Sequence, residues 1–316
     1  MKHQTINLGD NHDPVAYQLG NFAPARFWID RVYCRSAEGY IQSLKFADPD
    51  KQREVCRMVG VRAKFAGKKA GKRIAREGTV FWQGESVLFG SDQHQRWIEL
   101  GIEAKFRQDF DSQFDLISTG DQSLIHDTGH PESRFTSLPS SAFVTTVSQI
   151  RLNLISEAID VTDAGPHSIL SNLADTPFTY NGRLFGSVEG FIQSLKFPLG
   201  QQRKQIEILA GAAIRDVALR MMGISEMRDA KTGVLFGLTP EGEQTAFRSA
   251  KHIWLIQAAM RAKFTQNPTA MNILCSTRTR PLFCKFKIDL FSDAALTPKE
   301  FCGTLNQIRN NEKSLR

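Results

Sequence analysis

The sequence predicts an α+β chain, mostly helical with small β-hairpins, in which one domain is present twice. Three observations lead there: a long internal repeat, a tight-turn dipeptide between β-prone runs, and helix-spaced apolar residues behind serine caps. LGNFAPARFWIDRVYCRSAEGYIQSLKF (Leu19–Phe46) lies over LSNLADTPFTYNGRLFGSVEGFIQSLKF (Leu170–Phe197) without a gap, at an offset of 151 residues. HQRWIELGIEAKF (His94–Phe106) matches HIWLIQAAMRAKF (His252–Phe264), and TSLPSSAFVTTVSQIR resembles ALTPKEFCGTLNQIR further on. Three blocks in the same order read as a tandem duplication. Between the copies, ISEAIDVTDAGPHS carries Asp, Gly and Pro and reads as a connector. The expected division is a first domain at 15–154, a linker at 155–167 and a second domain at 168–312, with residues 1–14 as a loose arm.

Each copy then follows the same order of elements. PFTYNGRLFGS places two short β-prone runs around Asn181-Gly182, a strong hairpin signal, whereas the first copy has Asp30-Arg31, a poorer turn. Ser36 and Ser187 stand where a helix N-cap belongs, before EGYIQSLKF and EGFIQSLKF. Further helices are expected at about Lys51–Val59 and Gln201–Met222. In the blocks ending in Ala-Lys-Phe, Trp97, Leu100 and Ile102, or Trp254, Leu255 and Ala258, are expected to share a buried side. A C-terminal helix running through Gln-Ile-Arg closes each copy.

Composition narrows the function classes. With 316 residues, 41% hydrophobic and 23% charged, the chain is neither disordered nor collagen-like. No apolar run approaches the roughly 20 residues of a spanning helix, so no membrane partner is expected. The polar N-terminal stretch lacks the apolar centre of a signal peptide. The five cysteines are odd in number and form no C-x-x-C, so the expectation is a cytoplasmic protein with reduced thiols and no zinc site. Residues 1–160 hold 20 basic and 20 acidic residues and residues 161–316 hold 20 and 13, so the net charge of +7 belongs to the second half. A pI near 9.2 permits attraction to phosphates without demonstrating it.

One constellation has chemical potential. Glu38, Gln42 and Lys45 are spaced to fall on one helix face, with Tyr40, Ile41 and Leu44 opposite. Glu189, Gln193 and Lys196 repeat the pattern opposite Phe191, Ile192 and Leu195. A carboxylate, an amide and an ammonium on one surface can polarise water and bind oxygens, although they include no nucleophile–base pair. The same residue types also suit a solvated face, with the glutamate favoured near the helix N-terminus by the macrodipole.

The pattern Leu170-Ser171-Asn172, Pro177-Phe178, Gly182, Ser187, Glu189, Phe191, Gln193, Lys196-Phe197, then Ala262-Lys263-Phe264-Thr265-Gln266-Asn267-Pro268, closely resembles the NADAR (YbiA-like) family. The first copy keeps Asn21, Phe27, Ser36, Glu38, Gln42, Lys45-Phe46 and Ala104-Lys105-Phe106-Arg107-Gln108. The resemblance implies an α+β fold and hydrolysis of an N-glycosidic bond to ribose, without metal or cofactor. The substrates it implies are an ADP-ribosyl adduct on guanine in nucleic acid, which is preferred, or phosphorylated riboflavin-biosynthesis intermediates. The family's catalytic glutamate falls on Glu38 and Glu189. A carboxylate beside C1′ can activate water and stabilise oxocarbenium character, while Gln42, Lys45, Gln193 and Lys196, with Asn21 and Asn172, would hold phosphate or ribose oxygens. A module that binds ADP-ribose or nucleic acid without cleaving is the reading from another class.

The sequence departs from the family in two places. Where many members carry a base-stacking Trp, this chain offers Phe89 and Phe247, which equally suit a core. The family's acidic closing segment falls on Leu124–Ser133, so Asp127 or Glu132 is a candidate second carboxylate, or a loop acid in water. The second copy has Leu282–Asp289 there, with Lys285 and Lys287 in place of the acidic cluster. The first copy is therefore the expected catalytic one. Arg62, Lys64, Lys68, Lys69, Lys72, Arg73 and Arg76 form a basic run with no acid between them, either a nucleic-acid track or a solvated loop face. His94 and His252 occupy matching positions without a second histidine at ligand spacing, which favours packed or capping roles over metal binding.

Overall fold

The computed structural model describes residues 5–129, 131–133, 136–162, 165–221, 236–238, 241, 243–284 and 295–314. It divides into two compact units, Met1–Glu157 and Ala158–Arg316. Helices dominate both, and every β-sheet among the described residues is a two-stranded pair.

The first unit opens with strand β1 (Thr5–Asn7) and helix α1 (Pro14–Leu19). The β1 backbone pairs in parallel with β6 (Ser123–Ile125), so the N-terminal stretch read as a loose arm is part of the sheet from Thr5. Leu8 is buried directly after it, and Asn7 bonds the backbone of Asp127 through Oδ1 and Nδ2. A burying leucine and a bonding asparagine anchor a segment whose polarity suggested none.

Strands β2 (Phe27–Ile29) and β3 (Val32–Cys34) form the hairpin, and both turn residues, Asp30 and Arg31, have left-handed backbones with φ of 46° and 65°. Asn181 and Gly182 adopt the same geometry in the second unit at 48° and 73°. Asp30 therefore makes the turn that asparagine makes elsewhere, and its Oδ2 accepts a hydrogen bond from Trp82 Nε1 at 2.6 Å.

Helix α2 (Ala37–Ser43) follows, capped by Ser36, whose Oγ accepts from Gly39 N–H at 2.9 Å and donates to the Met58 carbonyl at 2.8 Å. Around it stand α3 (Pro49–Cys56), α4 (Gly60–Glu77) and α5 (Asp92–Gln108), with hairpin β4 (Thr79–Trp82) and β5 (Glu85–Leu88) between the last two. Helices α6 (Phe110–Ser118) and α7 (Ser140–Glu157) complete the unit. The basic run read as a loop face lies within α4. Ala63, Gly67 and Ile74 give that helix a buried side, and Gly67 and Gly71 within the run do not break it.

The second unit repeats this order. Ile155–Glu157 belong to α7 and β7 (Ile159–Asp160) pairs in parallel with β12 (Leu282–Phe283), so part of the span read as a linker is regular structure. Hairpin β8 (Phe178–Tyr180) and β9 (Arg183–Phe185) leads into α8 (Val188–Ser194), capped by Ser187. The helix expected over Gln201–Met222 is two, α9 (Gln201–Glu207) and α10 (Ile214–Met221), separated around Gly211 at φ 95°. Strands β10 (Phe236–Leu238) and β11 (Gln244–Ala246) precede α11 (Ala250–Gln266), α12 (Pro268–Ser276) and α13 (Pro298–Ser314).

The buried stripes of α5 and α11 differ from the expected ones. Leu100 and Trp254 are 38% and 54% exposed, and the stripes run instead through His94, Trp97, Ile98, Ile102 and Lys105, and through His252, Leu255, Ile256, Met260 and Lys263. Each stripe carries a buried histidine and a buried lysine at helical spacing from its apolar members.

Candidate active site

The site grows from the N-terminus of α2. The Ser36 cap starts the helix, and Glu38 N–H donates to the Asn21 carbonyl at 2.9 Å, so the carboxylate sits in the first turn beside the preceding loop. Lys105 holds that loop: its Nζ, 1% exposed at the residue level, donates to the carbonyls of Gln18, Leu19 and Gly20 at 2.9, 3.3 and 2.7 Å. Burial pushes this ammonium down to about 7. Lys263 repeats the role on Ile169 and Ser171 at 2.8 and 2.7 Å. Three residues on, Gln108 clamps the hairpin by exchanging bonds with Trp28 N–H and C=O at 2.9 and 2.8 Å, as Gln266 does with Thr179 at 2.8 Å each. The Ala-Lys-Phe-x-Gln block thus fastens the loop and hairpin on either side of the glutamate helix.

Helix α2 is buried on every side, which rules out the solvated-face alternative for its acid and amide. Glu38 and Gln42 are each 8% exposed, Glu189 and Gln193 2% and 5%. Gln42 Nε2 donates to Glu38 Oε1 at 2.9 Å, and Gln193 Nε2 to Glu189 Oε1 at 2.9 Å. Gln42 Oε1 and Gln193 Oε1 are buried without a hydrogen-bond partner among the described residues. Gly67 of α4 approaches Gln42 so closely that a methyl group there would overlap Oε1.

The two glutamates differ in their charged neighbours. Burial raises the pKa of Glu38 above the ordinary carboxylate value, opposed by the Gln42 hydrogen bond and the charges of Lys45 and Lys64. Among the described residues no cation makes an ion pair with it. Lys45, half-buried just past the helix, is lowered by its own burial, with Glu38 acting against that. Lys64 is exposed on α4, its Nζ 5.6 Å from the centre of the Phe22 ring. In the second unit, Arg215 Nε donates to Glu189 Oε1 at 2.7 Å in an ion pair, and Glu189 raises Arg215. Arg215 follows Lys64 at the offset of 151 residues that relates the two glutamates.

The other candidates fall into place unevenly. Asn21 and Asn172 are half-buried on the loops facing each helix start, and Lys196 is half-buried after α8. Phe89 and Phe247 are half-buried rings against His94 and His252, with centres 5.1 and 5.3 Å apart. Both imidazoles are packed: His94 Nδ1 accepts from Gly90 N–H at 3.0 Å and His252 Nδ1 from Arg248 N–H at 3.3 Å. Burial pushes His94 down to about 4. Asp127 is exposed, and its Oδ1 accepts from Gly129 N–H at 2.8 Å in a local turn. Glu132 is also exposed and accepts from Ser140 N–H at the start of α7, which lowers its pKa. Neither acid is among the groups that bear on Glu38. Lys285, Lys287 and Asp289 lie outside the described residues, as do the side chains of Lys69, Lys72, Arg73 and Arg76.

Arg215 is a site residue that sequence reasoning missed, and Lys64 was read only as part of the basic run and not beside Glu38. The gapless alignment, carried past Phe46, would have paired them. A groove of about 430 Å³ lies nearby, lined by Asp50, Arg53, Glu54, Arg57, Met58 and Arg62, and includes neither glutamate. Among the described residues no group of His, Cys, Asp or Glu is arranged to hold a metal, and no helix is long and apolar enough to cross a membrane.

Comparison with known proteins gives three findings. The family described as "Bacteriophage protein GP30.3" matches residues 14–152. The "uncharacterized 17.1 kDa protein in Gp30-rIII intergenic region" of Enterobacteria phage T4 is 30% identical over 149 residues, covering 46% of this chain and 91% of that protein. The NMR structure of the E. coli protein YbiA aligns with a TM-score of 0.37 at 19% identity, over 50% of this chain and 88% of its own. The chain belongs to the bacteriophage protein GP30.3 family.

Proposed function

We propose that the first unit hydrolyses the N-glycosidic bond between a ribose C1′ and a base nitrogen, with an ADP-ribosyl adduct on guanine in nucleic acid as the preferred substrate. The observation that carries this reading is Glu38, a carboxylate inside the core, oriented by Gln42 at 2.9 Å and without an ion pair among the described residues. Breaking the C1′–N bond builds positive charge on the sugar, and a pre-oriented carboxylate in a dry site stabilises it better than one in water. As the water oxygen bonds to C1′, one water proton passes to Glu38. The C1′–N electron pair leaves with the base, whose nitrogen takes a proton from solvent, so water is the only co-reactant. Lys45 and Lys64 supply positive charge for phosphate oxygens.

The resemblance to the NADAR (YbiA-like) family at Ser36, Glu38, Gln42 and Lys45-Phe46 supports this chemistry, and its recurrence at Ser187, Glu189, Gln193 and Lys196-Phe197 supports a tandem pair of such domains. Phosphorylated riboflavin-biosynthesis intermediates contain the same bond type and are the alternative substrate. The basic run of α4 is the proposed contact with nucleic acid. For the second unit, the ion pair at Glu189 favours a module that binds such a ligand without cleaving it.

The test is to incubate the full chain with ADP-ribosylated guanine DNA and, separately, with a riboflavin-pathway riboside phosphate, and to follow the freed sugar by chromatography. Release of ADP-ribose from the DNA supports the preferred substrate, and release from the riboside phosphate alone selects the alternative. Release from neither sinks the glycosidase reading.

A further inference from the structure

The α2 and α8 sites share the Ser cap, the glutamate and the glutamine, yet differ in the cation offered by the next long helix. In the second unit the guanidinium of Arg215 reaches across from α10 and occupies Glu189 Oε1 at 2.7 Å, the same oxygen that accepts from Gln193. In the first unit the matching residue, Lys64, keeps its Nζ 5.6 Å from the centre of the Phe22 ring, while its charge still acts on Glu38 from a distance. Leu173 stands at the position of Phe22 in the second unit, so the ring that draws Lys64 aside has no counterpart there.

We propose that the residue at position 64 or 215 determines whether the site glutamate is free to act on water: Lys64 leaves Glu38 available, and Arg215 silences Glu189 by pairing with it. This rests on the glycosidase reading of the first unit. Guanidinium and ammonium are not interchangeable here. Arginine offers a rigid fork of donors that locks onto a carboxylate, whereas a lysine ammonium on a flexible stem, attracted to an aromatic face, is easily held off it. An ion-paired carboxylate oxygen is occupied by its partner, and its charge is already spent when oxocarbenium character develops. Arg215 is thus a positioning residue, whose loss opens the second site.

The test uses the full chain with Glu38→Gln as background, so that any turnover comes from the second unit. Arg215→Lys is added, with Arg215→Gln as a second variant in case the lysine chain does not fold, and sugar release from ADP-ribosylated guanine DNA is measured. The ion pair is read separately from the Arg215 Nε–H resonance in ¹H–¹⁵N NMR, which donation to a carboxylate shifts downfield and protects from exchange. That resonance is expected to change in Glu189→Gln, a shift that a merely space-filling arginine would not show. Opening the pair is expected to raise turnover by about tenfold or more over Glu38→Gln alone, and a further Glu189→Gln is expected to remove the gain. An Arg215 signal indifferent to Glu189→Gln overturns the proposal, as does a folded chain with the pair broken and no gain in turnover. If the wild-type chain itself frees no sugar, it is the glycosidase reading that fails, and this proposal falls with it. If the wild type is active and only the gain is missing, that reading stands and the proposal alone is lost.

Discussion

Gln42 Nε2 and Glu38 Oε1 are joined by a 2.9 Å hydrogen bond on the buried helix α2, with an acid and an amide where packing alone would place apolar side chains. Burying a carboxylate that has one amide and, among the described residues, no ion pair costs stability, and such expense clusters at functional sites. The first prediction tests that trade. Glu38→Gln should lower sugar release by about a hundredfold or more. It should not lower the melting temperature at neutral pH. Burial raises the Glu38 pKa above its unfolded value, so the stability linked to its proton is present below the unfolded value and lost as pH rises through the folded one. Above that window the ionised acid is a burden that glutamine lacks. A variant that melts well below wild type at pH 8 would make Glu38 a structural residue.

The same shift fixes the acid limb of the pH profile. As a proton acceptor Glu38 works only when ionised, so kcat/KM should climb through a midpoint above the ordinary carboxylate range. Lys64→Gln removes one of the charges that oppose the rise, and should move the limb further up in pH. A limb that stays put in this variant, measured on the same substrate, would show that a different group controls turnover.

Gly67→Ala probes the glutamine without touching it. The added methyl would overlap Gln42 Oε1, the end of a flexible side chain, so the amide swings away, while the 3.0 Å approach to Gln42 Cβ asks the two helices to ease apart by only a few tenths of an ångström. The expected result is a kcat lowered by about tenfold, since Glu38 loses its orienting partner. The melting temperature should change little, because alanine's better helix propensity, worth about 1 kcal/mol, offsets part of the disruption. Undiminished kcat would mean that Gln42 does not orient the acid.

Much of this was legible in the residues. The Ser caps, the glutamate helices and the Asn181-Gly182 turn follow local rules, and the structure has them where periodicity and capping put them. What failed to show were features that depend on partners distant in sequence. Thr5–Asn7 looked like a free arm because its strand partner lies at Ser123–Ile125. Helical spacing put Trp254 with Leu255 and Ala258 on the buried side, but the buried residues of α11 run from His252 to Phe264 on another side, and their polar members His252 and Lys263 are satisfied by Arg248 N–H and two carbonyls. Glu38, Gln42 and Lys45 read as one helix face, but the helix ends at Ser43 and leaves Lys45 beyond it, and whether Glu38 and Gln42 met water or core depended on α4, whose basic run reads as a track or a loop face.

Lys105 gives a stability prediction. Lys105→Met keeps much of the buried volume but strands the carbonyls of Gln18, Leu19 and Gly20, which accept from Nζ. Leaving buried acceptors unpaired should cost about 3 kcal/mol, read as a lower urea midpoint for the unfolding of the first unit. Because the freed loop carries Asn21, whose carbonyl accepts from Glu38 N–H, activity should fall at temperatures where the variant is still folded. A variant as stable as wild type would remove the loop-fastening role assigned to the Ala-Lys-Phe motif.

Salt separates the two substrate readings. On α4, Arg62, Lys64 and Lys68 are all exposed, and Lys68 Nζ lies 5.8 Å from the centre of the exposed Phe65 ring. The second unit has Ala213, Arg215 and Leu219 at those positions, so two of these three cations have no counterpart there even though the net positive charge belongs to the second half. A cation that neutralises a backbone phosphate releases counterions, so KM for modified DNA should rise steeply as salt is raised. KM for a free riboside phosphate, with far fewer charges to neutralise, should rise much less. Arg62→Gln with Lys68→Gln should flatten the logarithmic salt dependence on DNA by about one for each phosphate no longer neutralised, with kcat unchanged. Equal slopes for the double variant and the wild type would remove α4 as the nucleic-acid contact and move the preferred substrate towards the small riboside phosphates.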